Sequence, residues 1–341
     1  MDAYFPVGKL PPDILAGLLA RAPTSDPSVL VGPGIGMDCA VVELGDRLLV
    51  AKSDPVTFVS DDVGYFLVRI NANDMATTGA TPRWLLLTLL LPAGRADRAM
   101  VDGIMDQVGA ACREMGVTLI GGHTEITHGL DRPVAVGALL GEVTREGLVT
   151  PQGARPGDRV LVTKGVPIEG TAIVADAFAD RLRPALGTDE LERARAFRND
   201  PGISVWRDAR IAQAAGRVTA MHDPTEGGLV TALWELAQAS GRTLRVDPAR
   251  VPVPGLAARV CRILDVDPMA LIASGALLLT VVADDAAAVV AALESAGIAC
   301  ADIGEVREGP ATVEAAGPRG VTRLAPPQRD EIARLFEEAD G

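Results

Sequence analysis

The stretch from Phe66 to Pro92 changes its hydrophobic period halfway along. In the first half Leu67, Ile70, Met75 and Thr78 recur at helical spacing, and Gly79 supplies a C-terminal stop. In the second half Trp84 to Leu91 is a short apolar run between Pro82 and Pro92, which predicts a strand buried on both faces. Asn71, Asn73 and Asp74 interrupt the helix, and Asn71 and Asp74, three apart, share one face of it. Unpaired in a core, such groups would each cost roughly 1–3 kcal/mol. Either the helix start bends out into water, or a ligand or metal meets these side chains.

The same reading extends along the chain. Residues 9–21 predict a short amphipathic helix entered through Pro11–Pro12, followed by the glycine-rich loop Gly32–Gly36. Residues 38–52 read as a hairpin that turns at Gly45-Asp46 and ends in Ser53-Asp54-Pro55-Val56. Residues 97–115 form an amphipathic helix stopped by Gly116; Val117–Ile120 is a strand that ends before Gly121-Gly122-His123-Thr124-Glu125, and Pro133–Val143 is another. Thr150 to Asp158 is rich in turn residues and marks the expected boundary between a domain over 1–152 and a domain over 153–341. Beyond it a strand at 159–163, helices near 169–180, 189–197 and 204–215, and a strand at 218–221 lead to His222-Asp223-Pro224-Thr225-Glu226-Gly227-Gly228 and a helix to Ser240. A strand at 276–282, a helix at 284–296 closed by Gly297 and a strand at 300–306 follow. Strands and helices alternate in both halves, so the fold class is α/β (α+β) in two domains.

Composition narrows what such a protein does. Hydrophobic residues make up 48% of the 341-residue chain, enough to fill two cores. With 45 acids against 32 bases the net charge is −13, and aromatics are only 3%, which excludes nucleic acid as the expected partner. No apolar run approaches the length of a membrane span, and the N-terminal residues lack a signal-peptide layout. Cys39, Cys112, Cys261 and Cys300 lie far apart without a CxxC pair, which fits a reducing cytoplasm and neither a zinc framework nor disulfides.

Walker, GxGxxG, GxSxG and HExxH motifs are all absent. What recurs is a carboxylate at a strand end or beside a glycine turn: Asp38, Asp54, Asp74, Glu125 and Asp223. One such aspartate is ordinarily a turn residue or a cap. Several converging are what Mg²⁺ needs to carry a polyphosphate into an acidic protein. His123, Glu125 and His128 offer a zinc alternative, but histidines five apart do not stack on one helix face. The glycines before His123 suit close approach to phosphate, with Thr124 and Glu125 the better metal or phosphate contacts. The turn from Asp223 to Gly228 reads either as an anion site at a helix N-terminus or as an ordinary capped helix. Lys164, beside Gly165, offers phosphate a cation or is a solvated turn lysine. The Arg- and Asp-rich residues 180–203 are a mobile cover or a solvated helix pair.

The set MDCAVV, KSDPVTF, NANDMATTGATP, GGHTEIT, VLVTKGVPIEGTAI and HDPTEGGL resembles, in order and over nearly the whole chain, the superfamily of aminoimidazole ribonucleotide synthetase, and most closely its HypE-like branch. The resemblance implies a PurM-like architecture, with an N-terminal domain whose strands join a second subunit in a dimeric β-barrel, a C-terminal α/β domain, and ATP beside the dimer interface. It implies that Asp38, Asp54 and Asp74 hold Mg²⁺ on the phosphates, completed by Asp223. Gly121, Gly122, His123 and Thr124 would approach ATP, Asn71 and Asn73 would line the site, and Lys164 and Gly227 would contact the nucleotide. Asp74, Asp223 and Glu125 would carry the chemistry. The implied reaction is ATP-dependent activation of a carbonyl, amide or other oxygen as a phosphate ester. The synthetase itself, a small-molecule kinase and an ATP-binding maturation or regulatory partner are the alternatives. HypE members carry a modified thiol at the extreme C-terminus; this sequence ends LFEEADG and its last cysteine is Cys300, so the expected acceptor is a separate small molecule or peptide.

Overall fold

The computed structural model describes residues 5, 10–57, 62–327 and 329–340. The chain divides into two compact units. The first holds residues 24–33 and 38–148; the second holds 149 onward together with 34–37 and the described part of 1–23. The division expected at 152/153 thus falls at 148/149, and two N-terminal pieces cluster with the second unit. One reason is Gly36, at φ 72°, where a Cβ would stand 2.7 Å from the carbonyl oxygen of Glu235. The N-terminal helix α1 is Pro12–Leu19; the start expected at Lys9 lies outside the described residues.

In the first unit β1 (Val29–Val31), β2 (Ala40–Leu44), β3 (Arg47–Val56), β4 (Thr81–Pro92), β5 (Thr118–Thr127) and β6 (Val134–Val143) form one sheet in the order β1-β2-β3-β6-β4-β5. All pairs are antiparallel except β4 with β5. Helix α2 (Val63–Thr77) lies over β3 and β6, and α3 (Arg98–Met115) packs beside it. Asp97 caps α3 by accepting from the Met100 N–H, and Gly116 ends it in the left-handed conformation. The two helices close together at Gly64, where a Cβ would meet the Ile104 carbonyl oxygen at 2.5 Å. Helix α2 is buried along most of its length because the sheet takes one side and α3 another.

Two expectations change here. Strand β4 is not buried on both faces: Leu85, Leu87, Leu89 and Leu91 are buried, whereas Leu86 is 39% exposed. Its parallel neighbour β5 is the edge of the sheet and also exposes apolar side chains, at Leu119, Ile120 and Ile126. Strand β3 also runs past Lys52 to Val56, which puts Asp54 inside the ladder opposite Gly137 instead of after its end. Asn71 explains the extension: its Oδ1 accepts the Asp54 N–H at 3.1 Å, and its Nδ2 donates to Leu67 O at 2.9 Å and Asp54 O at 3.4 Å. The buried amide on α2 therefore ties the helix to the strand backbone.

The second unit holds β7 (Arg159–Thr163), α4 (Glu169–Ala177), α5 (Ala179–Arg195), α6 (Trp206–Ala215), β8 (Val218–His222), α7 (Gly228–Ser240), β9 (Thr243–Val246), α8 (Gly255–Leu264), β10 (Leu278–Val281), α9 (Ala283–Ser295), β11 (Cys300–Arg307), β12 (Thr312–Gly317), β13 (Gly320–Arg323) and α10 (Glu331–Asp340). Its strands order as β13-β12-β9-β11-β7-β10-β8, and Val160, Val162, Leu233, Leu244 and Leu278 are among the core they share with α7. Of the two readings of 180–203, the helix pair is what forms: α5 kinks at Gly187, but it is packed and not solvated throughout, with Leu182 and Leu191 fully buried and Glu190 paired with Arg259 of α8 at 2.5 Å.

The segment before β10 is anchored by two buried acids. Glu169 opens α4, receives the Ser274 hydroxyl and backbone N–H on its carboxylate, and leaves Oε2 without a hydrogen-bond partner among the described residues. Burial pushes its carboxyl up to about 7, opposed by the Ser274 hydrogen bonds and reinforced by the charges of Glu226 and Asp330. Asp330 rises to about 6 through burial, although it accepts backbone N–H groups from Ile332, Gly227 and Ile272.

Asn71→Ala leaves the Asp54 N–H without its acceptor, and urea titration should read a loss of roughly 2–3 kcal/mol with an unchanged m-value. For Glu169 the folded state favours the protonated form, so its contribution to stability is complete below about 4.5 and declines as pH rises through about 7. Denaturation at pH 5 and pH 8 should therefore show Glu169→Gln gaining on the wild type with rising pH, by at most about 3 kcal/mol.

Candidate functional site

Strand alternation delivers the charges. Positions 48, 50, 52, 54 and 56 of β3 share the face under α2, and the row passes from Leu48 and Val50 to Lys52 and Asp54 before Val56. On α2, Asp74 follows Asn71 by three positions and lies on the same helix face. The Lys52 Nζ sits 3.1 Å from Asp74 Oδ1 and 3.4 Å from Asp54 Oδ2. Asp38, just before β2, places Oδ2 3.5 Å from Thr77 Oγ1, one turn beyond Asp74 on α2. Burial opposes charge on the Lys52 amine, but Asp74, Asp54 and Asp38 outweigh it and hold its pKa well above the ordinary lysine value. Only 4% of the Asp74 side chain is exposed, so its carboxylate depends on a cation. Asn73 is buried on the same helix.

Asp54 and Asp74 thus converge on one cation, with Asp38 beside the next turn of α2, and their hard oxygen donors suit Mg²⁺. Asn71 bonds the Asp54 backbone and so fixes where that carboxylate stands. Lys52 is the site residue that sequence reasoning missed. Its signal was available, since a lysine two positions before Asp54 on an otherwise apolar strand row must point to the same face.

The glycine-rich segment is placed differently from expectation. Gly121 to Thr127 continues β5, because the segment pairs in parallel with β4 from Leu86 to Pro92. A Cβ at Gly122 would fall 1.8 Å from the Leu87 carbonyl oxygen, so the neighbouring strand alone already demands glycine there. His123, Thr124 and Glu125 are exposed along this edge, with His123 Nε2 3.2 Å from Glu125 Oε2.

In the second unit Asp223 follows β8 and is 1% exposed. His222, also overlooked, is buried with Nε2 2.8 Å from Glu235 on α7. The start of α7 is not an open anion site. The Gly227 N–H donates to the Asp330 carboxylate, the Gly228 N–H to Thr225 O at 3.0 Å, and the Val230 N–H to Met269 O at 3.1 Å. Lys164 is likewise committed inside the unit: its Nζ is 2.7 Å from Ser204 O and 3.3 Å from Asp208 Oδ1. The side chain is 6% exposed, and burial lowers its pKa against the pull of Asp208. It is neither a solvated turn lysine nor a cation directed at phosphate, because the turn after β7 carries it into the core beside Ser204 and Asp208.

Comparisons with known proteins agree with this architecture. The family model for the AIR synthase related protein N-terminal domain matches residues 36–143, and that for the C-terminal domain matches residues 155–315. The chain is 32% identical over 262 residues to carbamoyl dehydratase HypE of Bradyrhizobium diazoefficiens, covering 74% of this chain and 70% of the relative. It is 32% identical over 250 residues to selenide, water dikinase of Geobacter metallireducens, covering 71% and 68%. Its fold is similar to that of hydrogenase maturation protein HypE in complex with ATP, with a TM-score of 0.71 at 23% identity over 94% of this chain and 91% of that one. Thiamine monophosphate kinase from Aquifex aeolicus gives a TM-score of 0.63 at 20% identity over 81% and 90%. With both halves matched in order, the PurM-like two-domain fold is established and the chain belongs to the AIR synthase related family.

Proposed function

We propose that the chain is a Mg-ATP-dependent phosphoryl-transfer enzyme that activates a carbonyl, amide or other oxygen of a small-molecule or peptide substrate. The observation that carries this reading is the convergence of Asp54 and Asp74 on one cation, with Asp38 beside the same helix turn. In this reading Asp38, Asp54 and Asp74 hold Mg²⁺ on the triphosphate. Positioning and charge neutralisation would then supply the rate enhancement. His123, Thr124 and Glu125 face solvent on β5 and are assigned to the nucleotide or its acceptor. Relatives named carbamoyl dehydratase and selenide, water dikinase, and the HypE structure containing ATP, support nucleotide use. Lys164 and Gly227 are left out, because their polar groups are engaged within the second unit.

The protein acts, in this reading, as a cytoplasmic homodimer. Strand β5 is a ten-residue edge that exposes Leu119, Ile120 and Ile126, an unpaired ladder next to apolar side chains. Such an edge is a template for pairing with another chain, and in this reading a second copy covers it. No helix among the described residues is long and apolar enough to cross a membrane.

Mg-ATP at a hundredfold excess over its Kd should stabilise the wild type by about 2.7 kcal/mol, read as a thermal shift of several degrees. Asp38→Asn and Asp74→Asn should keep the fold and lose that shift; a variant that retains it removes the residue from the site. ADP release across candidate acceptors then separates an enzyme from a nucleotide-binding partner, which would give the shift without turnover. Light scattering on a sizing column should report a dimer for the wild type and a monomer for Ile126→Glu, while a monomeric wild type would remove the second copy from the proposal.

A further inference from the structure

Lys52 occupies the place a divalent ion would take. Its ammonium lies 3.1 Å from Asp74 and 3.4 Å from Asp54, and 15% of its side chain is exposed. A hard divalent ion bound to the same oxygens would sit within a few ångströms of that ammonium. Three carboxylates carry three negative charges, and Lys52 already neutralises one of them, so the attraction left for a metal is reduced. A triphosphate changes this balance, because it adds several negative charges and gives the ammonium another anion to contact. The four-carbon lysine stem is flexible enough to follow that anion while the strand stays in register.

We infer that Lys52 is a built-in counter-ion that keeps the carboxylate site closed to a free divalent cation and opens it when a polyphosphate draws the ammonium away. The inference rests on the Mg-ATP reading for its second half; its first half, competition between the ammonium and a metal, stands on the ion pairs alone. Metal and nucleotide binding are then mutually dependent, each raising the affinity for the other by the same factor. The cell's free Mg²⁺ does not lock the site in an unproductive metal-only state.

Mn²⁺ binding without nucleotide tests this, measured by calorimetry and by the paramagnetic signal of the free ion. Lys52→Met keeps most of the stem and removes the charge; it should bind Mn²⁺ at least tenfold more tightly than the wild type. Lys52→Arg, which restores a cation, should return to the weak binding of the wild type. Equal or weaker Mn²⁺ binding by folded Lys52→Met overturns the inference, as does tight binding by Lys52→Arg. The wild type supplies an arm that does not depend on any variant folding: Mn²⁺ alone should leave its melting temperature unchanged, and a saturable rise overturns the inference. A non-hydrolysable ATP analogue is titrated separately with Mg²⁺. A wild type that does not bind it defeats the nucleotide reading, while the Mn²⁺ contrast between wild type and Lys52→Met still decides the role of Lys52.

Discussion

A row of side chains that is hydrocarbon along most of its length and charge toward one end is the constraint on which the first unit depends. Leu48 and Val50 bury under α2, and the next two inward positions of β3 are Lys52 and Asp54. Charges at such positions persist only when they are paired, because desolvation would otherwise neutralise them or unfold the element. Asp74 from α2 meets that need from the helix side, and Lys52 meets it from the strand side. The hydrogen bonds of Asn71 to the Asp54 backbone then fix helix against strand, so the Asp54 and Asp74 carboxylates are placed by the core and not by a loop. Sites built on regular elements in this way hold their geometry before a ligand arrives.

The second unit closes its polar groups on itself. Asp330 takes the Gly227 N–H at the start of α7, Asp208 takes both Lys164 and the Thr163 hydroxyl, and Glu169 takes Ser274. Each arrangement satisfies a buried donor or charge that would otherwise cost stability. Near the end of β8, Asp223 is buried and His222 pairs with Glu235.

Family membership and site geometry answer different questions. A shared two-domain fold hosts dehydration, dikinase and kinase activities among the relatives, so the fold alone names no acceptor. The site geometry shows Lys52 among the carboxylates and an apolar, solvent-facing edge at β5. The first bears on how a cation is admitted, the second on what covers the sheet.

The sequence by itself determined the elements, because periodic burial is a local property written into neighbouring residues. The helix after Val63, the hairpin of β2 and β3, the glycine stops at Gly116 and Gly297, and the alternation that marks two α/β halves were all legible. The aspartates Asp38, Asp54 and Asp74 stood out too, as carboxylates at strand ends or beside turns, although Asp54 lies within β3. Tertiary structure decided which groups meet. Only the docking of α2 on β3 brings Asp74 to Lys52, and only the return of the chain after 103 residues brings Asp330 to Gly227. It also turned the expected glycine loop into an edge strand and the expected phosphate lysine into a buried ion pair. A residue's type states what it must pair with, but the partner is chosen by how distant segments pack, and local pattern carries no record of that.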